Sequence, residues 1–512
     1  MRFRRLTAIA GTGALLVLAA CSGSSSTPQA SPTPPTPSTT TSAKPTAPSL
    51  AQFYNQKLTW SRCNSGFQCA SLLVPIDYVN PTKAVMKISV VRLRASGKRI
   101  GSVVINPGGP GGSGVDYALA ADRVITGAVR ERFDVVGFDP RGVGRSSPIR
   151  CFTSSALDHY IAVDPSPDTP AELADLVNSS KAFGQGCKQR SGRLLPYVGT
   201  VNAARDMDIL RAALGDAKFT YIGKSYGTFL GATYAQLFPT HIRALILDGA
   251  LDPSMPGREI DRTQAGGFET ALAAFLRDCV ANGCPLGASY TAAQKRLEQL
   301  FIDVDKNPLP ASNAPGDDGR KVNEAYAVIG VATALYARGW WPTLRSGLGA
   351  ALQGDGSVLL QLADSLTDRH TDGTFGNLNE ANMAINCLDR PLPKSLSTYQ
   401  RDAQAWKKEA PHFGSLLAFG DLACAYWPLP PTGRPAPLTA KGAPPILVIG
   451  TTRDPATPYA WATALARQLS SGVLLTYNGD GHTVYGEGSG CVNRIGDAYL
   501  INLKVPKDGT RC

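Results

Sequence analysis

The chain has 512 residues, 43% of them hydrophobic, and a formal net charge of +11. It is long enough to bury a large core, and its length predicts two or three domains. Its lysines and arginines form no basic block with interleaved aromatic residues, which argues against a nucleic-acid-binding protein.

The N-terminus has the pattern of a secretory signal peptide covering residues 1–20. Three arginines near the start precede a short apolar run from Ala8 to Ala20. This run is shorter than the roughly 20 residues that span a bilayer, which argues against a transmembrane anchor. Cys21 follows Leu18-Ala19-Ala20 directly, as in a bacterial lipobox. We therefore expect cleavage before Cys21, acylation of its sulfur, and a location in the cell envelope, either anchored to the outer face of the cytoplasmic membrane or secreted.

Residues 21–49 are predicted to be a disordered linker carrying the lipid anchor. The segment consists mainly of Ser, Thr, Pro and Ala and has almost no large apolar side chain. Such a composition cannot bury enough surface to fold.

The cysteine content predicts disulfides. Eleven cysteines are present, and ten remain when Cys21 is set aside for the lipid. An even number in an exported protein favours five disulfides. No C-x-x-C or H-x-x-x-H spacing occurs, so we predict neither a metal site nor another cofactor. Near neighbours in the sequence suggest the pairs Cys63–Cys69, Cys151–Cys187, Cys279–Cys284, Cys387–Cys424 and Cys491–Cys512.

Strand and helix patterns alternate in the first half of the folded chain. Apolar runs typical of strands cover 84–94, 102–106, 133–138, 219–222 and 244–248. This alternation predicts an α/β fold, a mostly parallel sheet with helices on both faces.

The pattern changes between residues 255 and 426, where helix-like segments dominate, and strands resume at 445–450 and 472–477. We therefore predict a core in two parts, residues 50–254 and 427–512. The helical segment between them, residues 255–426, is expected to be a lid over the strand ends.

Ser225 lies in the turn between the strand at 219–222 and the following helix. Gly223 and Gly227 flank it in G-x-S-x-G, the spacing of a nucleophile elbow. The turn strains the serine backbone, and a side chain at either glycine would collide with neighbouring elements. The motif alone is weak in a glycine-rich chain, where an ordinary βα turn is the alternative. Its strand–turn–helix context favours the nucleophile.

A glycine-rich loop, residues 106–114, follows the strand at 102–106. In a serine hydrolase a backbone N–H of such a loop and the N–H after the nucleophile, here that of Tyr226, hold the oxyanion. A flexible surface loop is the alternative, although two prolines stiffen this one.

His482 and Asp454 are the candidates for the base and the acid that would activate Ser225. Of the five histidines, only His482 lies in a glycine-rich loop after the last strand. Asp454 follows the preceding strand, whereas Asp480 is too close in sequence to reach the far nitrogen of His482. The order Ser, Asp, His is that of α/β-hydrolases.

Asp139 and Arg141 follow the strand at 133–138. We interpret them as an ion pair that fixes the turn at the strand end rather than as catalytic groups.

Segments along nearly the whole folded chain resemble the secreted tripeptidyl aminopeptidases of actinobacteria, including mycobacterial lipoproteins. These enzymes are a branch of the prolyl aminopeptidase family of α/β-hydrolases. The resemblance lies in NPGGPGGSG (106–114), FDPRGVGRSS (138–147), GKSYGT (223–228), LILDGALDP (245–253), AINCLDRP (384–391), TTRDPATP (451–458) and GDGHTVYGEGSGC (479–491).

The resemblance implies an α/β-hydrolase fold with an inserted helical lid and a triad of Ser225, Asp454 and His482. It also implies an oxyanion hole formed by Gly109 and Tyr226. Pro107 replaces the histidine of the HGGPG motif that many relatives carry, which leaves the backbone donor but puts a role for that histidine in doubt.

The aminopeptidases of this family hold the substrate amine with acidic side chains from the lid. Glu380 and Asp389 are the candidates here, and a place on a helix surface is the alternative for both.

We therefore expect a monomeric serine hydrolase of the cell envelope that releases short peptides from the free amino termini of peptides or proteins. A carboxylesterase or lipase acting on envelope acyl esters is the alternative, because it would use the same acyl-enzyme chemistry. A non-catalytic binding protein is a remote third interpretation.

Overall fold

The computed structural model describes residues 50–316 and 318–512, which belong to one compact unit. The signal peptide, the linker and Cys21 lie outside the described residues. Within the described part of the chain, no helix combines the length and the apolar character needed to cross a bilayer.

A ten-stranded sheet forms the centre of the molecule, with strand order β1-β2-β3-β5-β4-β6-β7-β10-β11-β12. The first three strands pair antiparallel, and all pairs from β5 onward are parallel. Two further strands, β8 and β9, form a separate hairpin. The strands are β1 Ser61–Arg62, β2 Phe67–Pro75, β3 Val85–Leu93, β4 Gly101–Asn106, β5 Phe133–Phe138, β6 Phe219–Lys224, β7 Ile242–Asp248, β8 Leu309–Pro310, β9 Lys321–Val322, β10 Ile446–Arg453, β11 Gly472–Asp480 and β12 Thr510–Arg511.

The helices fall into three groups along the chain. Those before and within the first half of the sheet are α1 Leu50–Asn55, α2 Gly114–Leu119, α3 Ala121–Val124, α4 Gly127–Arg132, α5 Ser154–Ala162, α6 Pro170–Ser191, α7 Thr200–Ala213 and α8 Tyr226–Leu237. Those inserted between β7 and β10 are α9 Gly257–Ala281, α10 Tyr290–Lys306, α11 Glu324–Leu335, α12 Trp341–Ala351, α13 Ser357–Thr367, α14 Leu378–Asp389, α15 Leu396–Glu409, α16 Gly414–Gly420 and α17 Leu422–Ala425. The last two are α18 Tyr459–Gln468 and α19 Gly490–Asn502.

Both faces of the sheet are buried, as the strand sequences require. Along β4, Val104 belongs to one hydrophobic cluster, while Val103 and Ile105 belong to another. Alternate side chains of a strand point to opposite faces, so continuous apolar strands indicate a sheet covered on both sides. This topology confirms the predicted α/β-hydrolase fold.

The lid has a hydrophobic core of its own. Side chains such as Phe275, Leu297, Val331 and Leu344 pack in a cluster made mostly of lid residues. Helix α11 is buried nearly all round, as expected for a helix at the centre of helix-on-helix packing within the lid.

The ten described cysteines join in the five pairs suggested by sequence proximity.

The prediction that Asp139 and Arg141 form an ion pair with each other is wrong. Arg141 is fully buried and forms a bidentate pair with Asp206 of α7, at 2.6 and 2.7 Å. Asp139 instead accepts hydrogen bonds from Ser113 Oγ and from the backbone N–H of Val115. Both side chains are structural, but they fix different elements.

Candidate active site

The parallel register brings the candidate loops to one edge of the sheet. Asn106 lies opposite Gly223, and Lys224 lies opposite Asp248, so β4, β6 and β7 end side by side. β10 and β11 end next to them, pairing Arg453 with Asp480. The glycine loop, Ser225, Asp454 and His482 all follow these strand ends, where ligands bind in open α/β sheets.

Ser225 has the strained geometry of a nucleophile elbow. Its φ is 55° and its ψ −127°, outside the regions that non-glycine residues favour. Its backbone N–H donates to the carbonyl of Asp248 at 3.0 Å. A Cβ on Gly223 would lie 2.2 Å from the carbonyl oxygen of Gly227, and one on Gly227 would lie 2.9 Å from that of Asn106. The turn therefore requires glycine at both positions.

The carboxylate of Asp454 holds the imidazole of His482. Nδ1 of His482 lies 2.8 and 2.9 Å from the two carboxylate oxygens. The backbone N–H groups of Ala456 and Thr457 each donate to Asp454 Oδ1 at 2.9 Å, which fixes the carboxylate. Nε2 of His482 is buried and makes no hydrogen bond to any described residue. With Nδ1 committed to the acid, Nε2 is the nitrogen free to take a proton.

The backbone of the His482 loop is fixed by the lid and by β7. The N–H of His482 donates to the carbonyl of Tyr336 at 2.7 Å, and the two rings meet edge to face at 5.3 Å. The N–H groups of Val484 and Tyr485 donate to Asp248 Oδ2 at 2.9 and 2.8 Å. The sequence analysis predicted neither support. Asp248 could have been noticed, because it is an aspartate at the end of an apolar strand.

An ion pair between a buried lysine and an exposed glutamate adds a third support to the same loop. Lys224, directly before Ser225, is buried, and its Nζ pairs with Glu487 Oε1. Burial favours the neutral amine, but the charges of Tyr117, Glu487 and Asp248 outweigh it and raise the pKa of Lys224. The lysine therefore stays charged and holds the loop against the elbow strand.

Gly109 and Tyr226 line the same cavity as Ser225. Tyr226 is the first residue of α8, where a helix N–H has no intrahelical partner. The N–H of Gly108 donates to Asn106 Oδ1, whereas that of Gly109 makes no hydrogen bond to another described residue. A Cβ on Gly108 would lie 2.8 Å from Cβ of Ser225, so glycine lets the loop approach the elbow. Two free N–H groups beside the serine are what an oxyanion hole needs.

The cavity that Ser225 lines has a volume of about 300 Å³ and is also lined by two aspartates of the lid, the buried Asp261 and the half-buried Asp421. Asp261 lies on α9, and Asp421 directly precedes α17. Burial raises the pKa of Asp261 well above its ordinary value, and the negative charge of Asp421 raises it further. Burial also raises the pKa of Asp421, against the opposing charge of Arg390. Arg258 pairs with Asp261 Oδ2 at 3.2 Å, and the positive charge of a bound substrate would further offset the repulsion between the two acids.

The structure does not bring Glu380 and Asp389 to this cavity. Glu380 is buried with Oε1 accepting from the backbone N–H of Cys151 and Phe152, at 2.5 and 2.9 Å. Asp389 accepts from the N–H and the hydroxyl of Thr200, at 2.9 and 2.5 Å. Both carboxylates are committed to fixing backbone, so neither is placed to meet a substrate amine. Asn382 and Asn386 of α14 line the cavity, whereas the two acids there lie on α9 and directly before α17.

Fold and site together define an α/β-hydrolase with a serine at the nucleophile elbow. Residues 410–512, which include Asp454 and His482, match the family model described as TAP-like protein.

Three relatives match over most of their length. The chain is 40% identical to the Serine protease Hip1 of Mycobacterium tuberculosis strain H37Rv over 475 residues, which covers 89% of this chain and 91% of the relative. It is 35% identical to the Carboxylesterase B of the same strain, covering 87% and 86% of the two chains. It is 30% identical to the Tripeptidyl aminopeptidase of Streptomyces lividans, covering 99% and 97%. The chain thus belongs to the TAP-like family of α/β-hydrolases and is a hydrolase.

Proposed function

We propose that the protein is a serine aminopeptidase of the cell envelope that releases short peptides from free amino termini. The observation that carries the proposal is the pair of carboxyl groups, Asp261 and Asp421, in the cavity that Ser225 lines. An unblocked substrate amine is protonated near neutral pH, and these acids would attract it. The serine protease and the tripeptidyl aminopeptidase among the relatives support this assignment.

In the proposed reaction, Ser225 Oγ attacks the carbonyl carbon of the scissile peptide bond while His482 Nε2 takes the hydroxyl proton. Asp454 stabilises the imidazolium that forms. The N–H groups of Gly109 and Tyr226 hold the oxyanion of the tetrahedral intermediate. Collapse of the intermediate breaks the peptide bond, and His482 gives its proton to the leaving amine. Water, deprotonated by the same histidine, then releases the peptide from Ser225.

A carboxylesterase is the second candidate, because the relative named Carboxylesterase B covers most of the chain and the same acyl-enzyme steps cleave esters. A panel of free and N-blocked mono-, di- and tripeptidyl chromogenic substrates, run beside short-chain acyl esters, separates the two. We expect faster turnover of unblocked peptides. Faster turnover of blocked peptides or of esters would contradict the aminopeptidase assignment.

The acids have their own test. Asp261→Asn and Asp421→Asn should each raise KM for unblocked peptides and change KM for short esters much less, because only the peptides carry an amine. Asp402→Asn is a matched control, since Asp402 also pairs with Arg258 but does not line the cavity. Equal losses on peptides and esters would show that the two acids act on the fold rather than on the amine.

A further inference from the structure

A second cavity of about 280 Å³ adjoins the catalytic cavity. We call it the apolar chamber. Four residues line both spaces, namely Asn382, Met383, Leu416 and Gly420. They form the partition between the two, which places the chamber directly beside the cavity that Ser225 lines.

None of the residues that line the apolar chamber is charged. Its walls include Val163, Leu176, Ile329 and Phe419. This composition contrasts with the catalytic cavity, which Asp261, Asp421 and Arg390 line.

The two asparagines of the chamber wall are each hydrogen-bonded to backbone carbonyls. Asn379 Nδ2 donates to the carbonyl of Thr367 at 2.6 Å, and Asn382 Nδ2 donates to that of Pro110 at 3.0 Å. Asn382 Oδ1 accepts from Asn386 Nδ2 at 2.9 Å. These bonds hold the two amides in place, and the apolar side chains make up most of the remaining wall.

The position of the partition indicates which part of a substrate reaches the chamber. Gly420 of the partition directly precedes Asp421, one of the two acids proposed to bind the amine. A group that passes the partition is therefore attached close to the amino end of the substrate rather than to the leaving group.

We propose that the apolar chamber is a subsite for a large apolar group at the end of the acyl part of the substrate. The group is an aromatic or branched aliphatic side chain of a peptide, or the alkyl chain of an ester, since both have the same contact chemistry. The inference rests on the proposed acyl transfer at Ser225. It adds a substrate preference that the triad alone does not determine.

The test fills the chamber from two walls. Leu176 lies on α6 and Ile329 lies on α11. The substitutions Leu176→Trp and Ile329→Trp each place an indole ring in the apolar chamber. Ala174→Trp is the matched control, because Ala174 is exposed on the same helix as Leu176 and does not line the chamber. Thermal melting of each variant checks the fold. The measured quantity is the ratio of kcat/KM for a large substrate to that for a small one, within each variant.

One arm of the test compares unblocked tripeptidyl substrates with N-terminal Phe or Ala, and the other compares octanoyl with acetyl esters. We expect both filled variants to lower the ratio by about tenfold or more in at least one arm, while Ala174→Trp leaves it unchanged. The affected arm identifies the source of the apolar group. Unchanged ratios in both arms, in variants that melt like the wild type, would overturn the subsite.

If the filled variants do not fold, alkyl fluorophosphonates of increasing chain length on the wild-type protein give a second test. A crystal structure of the Ser225 adduct should show the long chain in the chamber, and a chain that points to solvent would overturn the proposal. A different result would show that the proposed acyl transfer at Ser225 is wrong. In that case Ser225→Ala would retain turnover of the small substrates.

Discussion

Gly249 lies directly beneath the catalytic histidine candidate. It follows β7 with a φ of +68°, and a Cβ there would lie 3.1 Å from Cε1 of His482 and 2.9 Å from Cγ2 of Thr483. We expect Gly249→Ala to displace the imidazole and lower kcat by roughly 100-fold, because small displacements of catalytic groups have effects of this order. Steady-state kinetics on the best substrate of the panel measures the loss.

Gly215→Ala is the matched control for this prediction. Gly215 has a φ of +78°, and a Cβ there would meet nothing within 4 Å. The two variants therefore share the backbone strain of alanine at positive φ, and only Gly249→Ala adds the collision. Equal kcat in both variants would show that the imidazole tolerates the extra methyl group.

Ser225 itself is the subject of a covalent test. A fluorophosphonate should label the wild-type protein at one serine, and Ser225→Ala should abolish the label, since the elbow is the strained turn that exposes a nucleophile. His482→Ala should lower turnover about as much as Ser225→Ala, because the two groups act as a unit, and Asp454→Ala should cost less. Intact-mass spectrometry measures the label. Persistent labelling of Ser225→Ala would remove this serine from the mechanism.

At the scale of single residues, the sequence predicts some site residues and leaves others unpredicted. Asp454 and His482 could be selected in advance, because parallel strands end at one edge of a sheet and each residue follows such a strand. Their hydrogen bond agrees with that reasoning, and their catalytic roles stay predictions. Asp261 and Asp421 could not be selected, because they are far apart in sequence and meet only through the packing of the lid helices. No periodic pattern specifies that packing.

Three carboxyl groups meet at the junction of three elements. Asp164 lies between α5 and α6, Asp305 on α10, and Glu324 at the start of α11, with one oxygen of each within 4.8 Å of the others. Burial, together with the neighbouring acids, raises the pKa of Glu324 from 4.5 to about 7. The folded state therefore binds this proton more tightly than the unfolded state does.

The sign of the pH effect follows from that difference. The stability that Glu324 contributes is fully present below about pH 4.5 and is lost as the pH rises through 7. We expect Glu324→Gln to melt above the wild type at pH 8 and to lose this advantage at pH 4.5. Glu298→Gln, at an exposed position of α10, is the control and should show no such dependence. A parallel pH dependence of melting in Glu324→Gln and the wild type would contradict the shifted pKa.

The loop after β11 carries the next prediction. The bond between Cys491 and Cys512 closes a segment with a sequence separation of 21, which the chain-entropy model values at roughly 3 kcal/mol. Tyr336, Asp248 and Lys224 restrain the same loop at positions nearer to His482 in the sequence than Cys491 is. We therefore expect Cys491→Ser to lower the melting temperature and to change kcat little. A large loss of kcat at a temperature where the variant is folded would show that the disulfide also positions the histidine.

Elements were predicted well where one pattern dominates. The strand at 133–138 was located at its observed ends, and β4 and β11 begin within one residue of the predicted positions. The second strand of the sheet, β2, was missed, because many of its side chains are only partly buried and its apolar signal is weak. Helices α13 to α17 lie in the segment predicted to be helical, but the sequence did not delimit them individually. They are short or separated by irregular loops, and the lid core determines their arrangement.

At the scale of the whole molecule, the anchor is a proposal from the sequence alone. Given the pattern before Cys21, we expect Cys21→Ala to abolish lipidation and to move the protein out of the membrane fraction or block its processing. The catalytic unit should keep its melting temperature and turnover, because Cys21 lies outside residues 50–512, which contain the sheet and the candidate site. Fractionation and mass spectrometry of the N-terminus measure both effects. Normal processing with unchanged fractionation would argue against a lipid anchor.

The hydrogen bond from His482 to the carbonyl of Tyr336 has a consequence for how this enzyme can be redesigned. Because the acceptor is main chain, any amino acid at position 336 can supply it, so point substitution there leaves the bond in place. Replacing the insertion between β7 and β10 with that of another protein would remove this hydrogen bond. His482 would then lose a backbone support at the same time as the substrate preference changes. A chimaera that exchanges substrate preference must therefore retain the turn after α11 as part of the catalytic scaffold.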